Sequence, residues 1–199
     1  MSIYRIHPDR FNFQLITISS GEILGKLGEE YPFHIDPTPK SYAAVWNPLV
    51  VEYYDSSENK TPAQIPDITI DSGRLYLSEE AYEGLADILS PFGEFLPILV
   101  LQKNAYVFNP LKIAEDIGGV NTKLSFKNDW GDLESLAFHD DKVKEFVVFR
   151  SEFDGYMGLF CQEAFKLKIE ALGLQGIIFS KDLGNIFPSD PSADKPTAH

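Results

Sequence analysis

The chain has 199 residues, 44% of them hydrophobic and 24% charged, with 15 Phe and 9 Tyr. That apolar content can offset the entropy of folding, which argues against wholesale disorder and suggests one domain. Acidic residues number 30 against 17 basic, a net charge of -13, and such a field repels phosphate backbones and anionic lipids while attracting cationic surfaces.

Nucleic-acid and membrane partners are therefore not expected. The N-terminal residues 1–8 have no apolar core of the signal-peptide kind, and the longest apolar run, residues 95–101, falls well short of the ~20 residues that span a bilayer. Cys161 is the single cysteine, so no intrachain disulfide or thiolate zinc cluster can form within one chain. These features together read as a cytoplasmic protein.

In chain order, residues 3–6 read as a short strand, and residues 11–15 alternate apolar and polar with a strand's period of two. Glycines at 21, 25 and 28 and prolines at 32, 37, 39 and 48 interrupt the next stretch too often for a long helix. Residues 49–54 predict a strand, and the polar residues 55–66 predict a loop or internal boundary. Ser78 caps a helix with Glu79 and Glu80 in its first turn and Tyr82, Leu85, Ile88 and Leu89 on one face, ending before Pro91. Residues 95–101 and 105–108 predict a hairpin. Asn109 followed by Pro110 predicts the cap of a short helix ending at Gly118-Gly119.

Residues 121–145 are polar and acidic and predict loop with short strands, followed by a buried strand at 146–149. Residues 162–172 predict a helix stopped by Gly173, and 177–179 a last strand. The expected fold is a single α+β domain over residues 1–187, with a mainly antiparallel, mixed-order sheet and about three packed helices. Strands outnumber helices and do not alternate with them, which argues against a doubly wound parallel sheet. Residues 188–199 have too little apolar content to pack and predict a disordered tail.

Signals for chemistry are sparse. His34-x-Asp36 and His139-Asp140-Asp141 are the nearest approaches to a metal pair, without a helical His-x-x-x-His. The calcium-loop look of residues 128–132 fails on ligand spacing, and no P-loop or G-x-S-x-G elbow is present. Cys161, placed at a helix start and paired with His139, is the least unlikely nucleophile, against the commoner reading of a small core residue. No catalytic residue, metal or cofactor is assigned.

The sequence also carries Leu75-Tyr76-Leu77-Ser78-Glu79-Glu80-Ala81, Gly93-Glu94-Phe95-Leu96-Pro97-Ile98 and Tyr106-Val107-Phe108-Asn109-Pro110-Leu111. Further on stand Phe149-Arg150, Gly158-Leu159-Phe160-Cys161-Gln162-Glu163-Ala164-Phe165 and Gly173-Leu174-Gln175-Gly176-Ile177-Ile178-Phe179. In these motifs and their order, residues 70–180 resemble a family of bacterial immunity proteins encoded beside polymorphic toxins, a former domain of unknown function with a myxobacterial prototype. The resemblance implies a stoichiometric inhibitor that binds one cognate secreted toxin domain and performs no chemistry of its own. The alternatives are a small cytoplasmic enzyme using Cys161 or the carboxylates around His139, and a regulatory protein-interaction module.

If the function is binding, the densest acidic neighbourhood around an aromatic residue is the candidate toxin-binding surface: Asp129, Trp130, Asp132 and Glu134, then Asp140 and Asp141. Glu29, Glu30 and Tyr31 form a second patch of this kind. A partner with a cationic surface is implied. The competing expectation, slightly favoured, is that Trp130 packs inward and the acids are merely solvated. Tyr31, Phe33, Tyr42, Trp46, Tyr53, Tyr54 and Trp130 either form a dimer face or complete the N-terminal core, with the core preferred.

Overall fold

The computed structural model describes residues 2–56, 58, 63–188 and 190. β1 (Ile3–Pro8) is buried at all but its last position because both its faces are covered. It lies inside a four-stranded antiparallel sheet of order β10 (Val148–Phe149), β11 (Leu159–Gln162), β1, β12 (Ile177–Ser180). Tyr4 and Ile6 point into the main core, while Arg5, on the alternate face, pairs with Asp154 at 3.2 Å and donates to Leu183 O at 2.9 Å.

The second sheet has six strands in the order β2 (Leu15–Thr17), β3 (Leu49–Tyr54), β6 (Gly93–Val100), β7 (Lys103–Pro110), β5 (Arg74–Ser78), β4 (Ile68–Asp71). All neighbours are antiparallel except β3 and β6. The sheet curls until its two edges, β2 and β4, touch, giving a nearly barrel-shaped surface. A small hairpin, β8 (Phe126–Lys127) and β9 (Leu133–Ser135), stands apart from both sheets.

Among the described residues, four helices complete the α+β fold: α1 (Ser20–Leu27), α2 (Glu79–Leu89), the single-turn α3 (Asp140–Val143) and α4 (Glu163–Leu172). The capping expected at Ser78 is present, its Oγ accepting Ala81 N at 3.2 Å. Ala81, Leu85 and Leu89 of α2 and Phe165 and Ile169 of α4 enter one core with Tyr4 and Ile6 of β1 and Ile68 and Ile70 of β4. That core joins the two sheets. The last turn of α2 runs into a 3-10 turn over Ser90–Phe92, with Pro91 inside it.

Several expectations are corrected. Residues 10–12 form a turn rather than strand, because Asp9 Oδ1 accepts the amides of Phe11 and Asn12; β2 starts only at Leu15. The stretch rich in glycine and proline holds no long helix, as expected, but does hold the eight-residue α1, which Ser19 caps and Gly28 closes. Asn109 and Pro110 end β7 instead of starting a helix, and only a 3-10 turn at Glu115–Ile117 precedes the left-handed Gly118. Cys161 lies inside β11, with the helix starting at Glu163. Most of the expected tail, residues 189 and 191–199, lies outside the described residues, as do 57 and 59–62 of the expected loop.

No helix among the described residues is long and apolar enough to cross a membrane. Phe33 and Tyr42 are fully buried, with Tyr31 and Trp46 packed on them edge to face at 5.0–6.4 Å. These four aromatics therefore fill the N-terminal core beneath α1, with Ile23 and Leu27. Tyr54 is 47% exposed and does not share this burial.

Candidate binding surface and the buried polar centre

The β8–β9 hairpin turns on Asn128. Its side-chain Oδ1 accepts the amides of Trp130 at 3.0 Å and Asp132 at 2.8 Å, and its Nδ2 donates to Asp132 Oδ2 at 3.1 Å. Gly131, at φ +86°, supplies the left-handed residue that closes the turn. The result is a short loop locked by its own side chain, as Asn commonly does in turns. At its tip Trp130 is 88% exposed. The expectation that Trp130 packs inward is overturned: the turn leaves its side chain no core to enter.

Asp129, Asp132 and Glu134 are exposed on the same hairpin. Phe126 on β8 and Leu124 just before it are more than half exposed, and both escape a search for acids around an aromatic. The hairpin is rooted by Leu133, Leu136 and Phe138, which pack with Val143, Phe149 and Phe160. Asp140 and Asp141 form the exposed first turn of α3, anchored in that same cluster through Val143. Their position at a helix N-terminus is favourable in itself.

The other patch is not joined to this one. Glu29 and Glu30 are exposed, but Tyr31 is half-buried against Tyr42, with Lys40 Nζ 5.9 Å from its ring centroid, in the cluster beneath α1. Cys161 is fully buried, and desolvation pushes its thiol well above the usual range. An activated thiolate needs the reverse. His139 is the exposed residue preceding α3.

His34 and Asp36 do not converge. His34 Nε2 lies 3.1 Å from Ser20 Oγ, while Asp36 accepts from Thr38 and Lys40. No cluster of three metal-ligating side chains exists among the described residues.

Unforeseen in the sequence is a polar centre built on two arginines. Arg74 is 1% and Arg150 0% exposed, and neither has a carboxylate partner within ion-pair distance among the described residues. Arg74 donates to Phe33 O at 2.9 Å and Asp36 O at 2.7 Å, and Arg150 to Gly73 O at 3.0 Å and Pro37 O at 2.5 Å. Both reach Asn109 Oδ1, at 3.3 and 3.4 Å. The Asn109 amide then donates to Lys40 O and to Glu94 Oε1, which also accepts Tyr42 N at 2.7 Å. Burial and the neighbouring Arg74 draw the Arg150 pKa down to about 9. That still leaves it protonated at neutral pH.

The centre explains how residues 33–43, which have no regular structure, are fixed: their carbonyls are the acceptors of two guanidinium groups. Gly73, at φ +68° in the β4–β5 turn, is required there, because a Cβ would stand 2.6 Å from Tyr156 O and 3.2 Å from Arg150 Nε. A cavity of about 240 Å3 beside it, at the seam between β2 and β4, is lined by His34, Asp71, Arg74 and Tyr76 among others. Burial, with Asp71 nearby, pushes the Tyr76 phenol well up, so it stays neutral. No family model matches this chain, and no curated protein matches it.

Proposed function

We propose that the protein is an immunity protein, a stoichiometric inhibitor that binds and neutralises one secreted bacterial toxin domain. The observation that supports this best is Trp130, 88% exposed at the tip of a hairpin that Asn128 holds rigid and that carries Asp129, Asp132 and Glu134. Keeping a tryptophan in water gains the isolated fold nothing. In an interface the same side chain supplies large apolar contact at little entropic cost, and a rigid turn pays that cost in advance. The net charge of -13 speeds capture of a cationic partner.

Inhibition by occlusion needs no reactive group, so the burial of Cys161 is compatible with this role. The test is co-expression with the toxin domain encoded beside this gene, scored for growth rescue and co-purification as a one-to-one complex. Rescue lost on Trp130→Ala with the fold intact supports the reading. Absence of any complex with that toxin overturns it.

A further inference from the structure

A concavity of about 1000 Å3 opens on the inside of the curled sheet, away from the α1 end. Its floor is apolar: Ile16 of β2, Val51 and Tyr53 of β3, Ile98 and Val100 of β6, with Tyr76 at the seam. Strand alternation turns these side chains to the same face. At the lip stand Leu101 in the β6–β7 turn, 62% exposed, and Ile65, 50% exposed. These two exposed apolar side chains adjoin the apolar floor and make it one continuous apolar surface.

The rim is acidic. Among the described residues, Asp67, Glu79, Glu80 and Glu83 line it against the single cation Lys103, and the glutamates have no hydrogen-bond or ion-pair partner there. Glu79 and Glu80 complement the N-terminus of α2. Glu83 lies one turn further on, three and four residues from its like-charged neighbours, where helix stability is lowered rather than raised. Within the groove, burial and nearby Asp67 raise the Tyr53 phenol to about 12, so it remains a neutral hydrogen-bond donor.

We propose that this groove is a docking site for a lysine- or arginine-bearing segment of the partner protein, its apolar side chains seated on the Val51–Ile98–Val100 floor and its cations facing Glu79, Glu80 and Glu83. The inference rests on the inhibitor reading above and adds a contact built on elements other than the Trp130 hairpin. A second copy of this chain would bring another -13 charges, and a nucleic acid would bring phosphates, so both meet repulsion at this rim.

The probe is a short acetylated peptide of repeated Lys-Val-Ser-Leu units, with its glutamate-for-lysine counterpart, titrated by fluorescence anisotropy at physiological ionic strength. The Glu79→Gln/Glu80→Gln/Glu83→Gln variant is expected to weaken binding of the basic peptide about tenfold, a change of ~1.4 kcal/mol. Asp116→Asn/Glu145→Gln/Glu152→Gln removes equal charge from exposed positions outside the groove and should change binding less than about twofold. Melting temperature verifies that each variant folds. No binding by the unaltered protein, or equal weakening in both variants, overturns the groove.

The same variants, measured against the co-encoded toxin, separate the two proposals. A toxin that binds and is indifferent to the glutamate variant overturns the groove and leaves the inhibitor reading standing. Peptide binding that depends on the glutamates, without toxin binding, supports the groove as a site for basic segments and overturns the inhibitor reading.

Discussion

The Asn128 side chain holds the Trp130 backbone amide at 3.0 Å, so the most exposed aromatic side chain of the protein is mounted on one of its most tightly specified turns. Replacing Asn128 by Ala removes that acceptor and the bond to Asp132 N together. Because the turn is solvated, global stability should fall by no more than ~1 kcal/mol. Toxin affinity should fall by more than stability does, since the loop must then be ordered on binding. Calorimetric binding with a larger entropic penalty in Asn128→Ala supports this; unchanged affinity refutes preorganisation.

Trp130→Ala should cost ~2 kcal/mol or more of toxin affinity, mainly through faster dissociation, with thermal stability unchanged because the side chain is 88% exposed. Reversing Asp140 and Asp141 to Lys should instead slow association and weaken its salt dependence. Stopped-flow association rates at two ionic strengths separate these effects. Unchanged kinetics in both variants remove this surface as the interface.

Legibility from sequence follows how local each signal is. β3 at Leu49–Tyr54, α2 with its Ser78 cap, and α4 with Gly173 rest on periodicity and caps within one segment, and all are as expected. Asn109 misleads because Asn-Pro is a helix-start signal, whereas the strand register opposite Glu94 and the two guanidinium groups hold it in β7. An aromatic in a polar loop slightly favours the inward reading, whereas the exposure of Trp130 follows from a local turn, closed by Asn128 bonds that span only two and four residues and by Gly131. The groove has no local signature, since its floor draws on β2, β3 and β6 and its rim on α2.

Arg74→Met and Arg150→Met should each destabilise the protein by about 3–5 kcal/mol, the range for breaking a buried charged network. Each substitution strands two main-chain carbonyls and half of what Asn109 Oδ1 accepts. Arg150→Lys should fail to rescue, because one ammonium cannot span Gly73 O, Pro37 O and Asn109 Oδ1 in a planar fork. Denaturant titration measures the loss, and limited proteolysis should show residues 33–43 cut first. A change below ~1 kcal/mol for either Met variant contradicts the anchoring role.

His7 sets an acid limit on stability. It is 3% exposed, and burial first, then Arg5 and Arg10, lower its pKa to about 4, with Asp182 acting in the other direction. The unfolded chain, with an ordinary histidine near ~6.5, takes up the proton first as pH falls. The contribution is therefore complete above ~6.5 and is lost between there and about 4, to the extent of about 3 kcal/mol. Asp154, whose pKa is raised by burial against the pull of Arg5, opposes this at lower pH. The difference between the unaltered protein and His7→Leu isolates the histidine. Parallel stability curves for the two proteins across that window refute the assignment.

Leu101 and Gln102 connect β6 to β7 with φ of 51° and 65°, and the pairing of Val100 with Lys103 leaves them as a two-residue hairpin loop. Positive φ at both central positions is the geometry that favours Asn-Gly, and Leu in that region is strained by roughly 1–2 kcal/mol. Replacing Leu101-Gln102 with Asn-Gly should therefore stabilise the protein by about 1 kcal/mol, a rise of roughly 2–4 °C in Tm. The same change removes the most exposed apolar side chain from the lip of the groove. Binding of the basic peptide should weaken even as the fold strengthens, the trade expected when strain is kept for contact. A variant that is both more stable and an unchanged binder shows that Leu101 makes no contact with the docked segment.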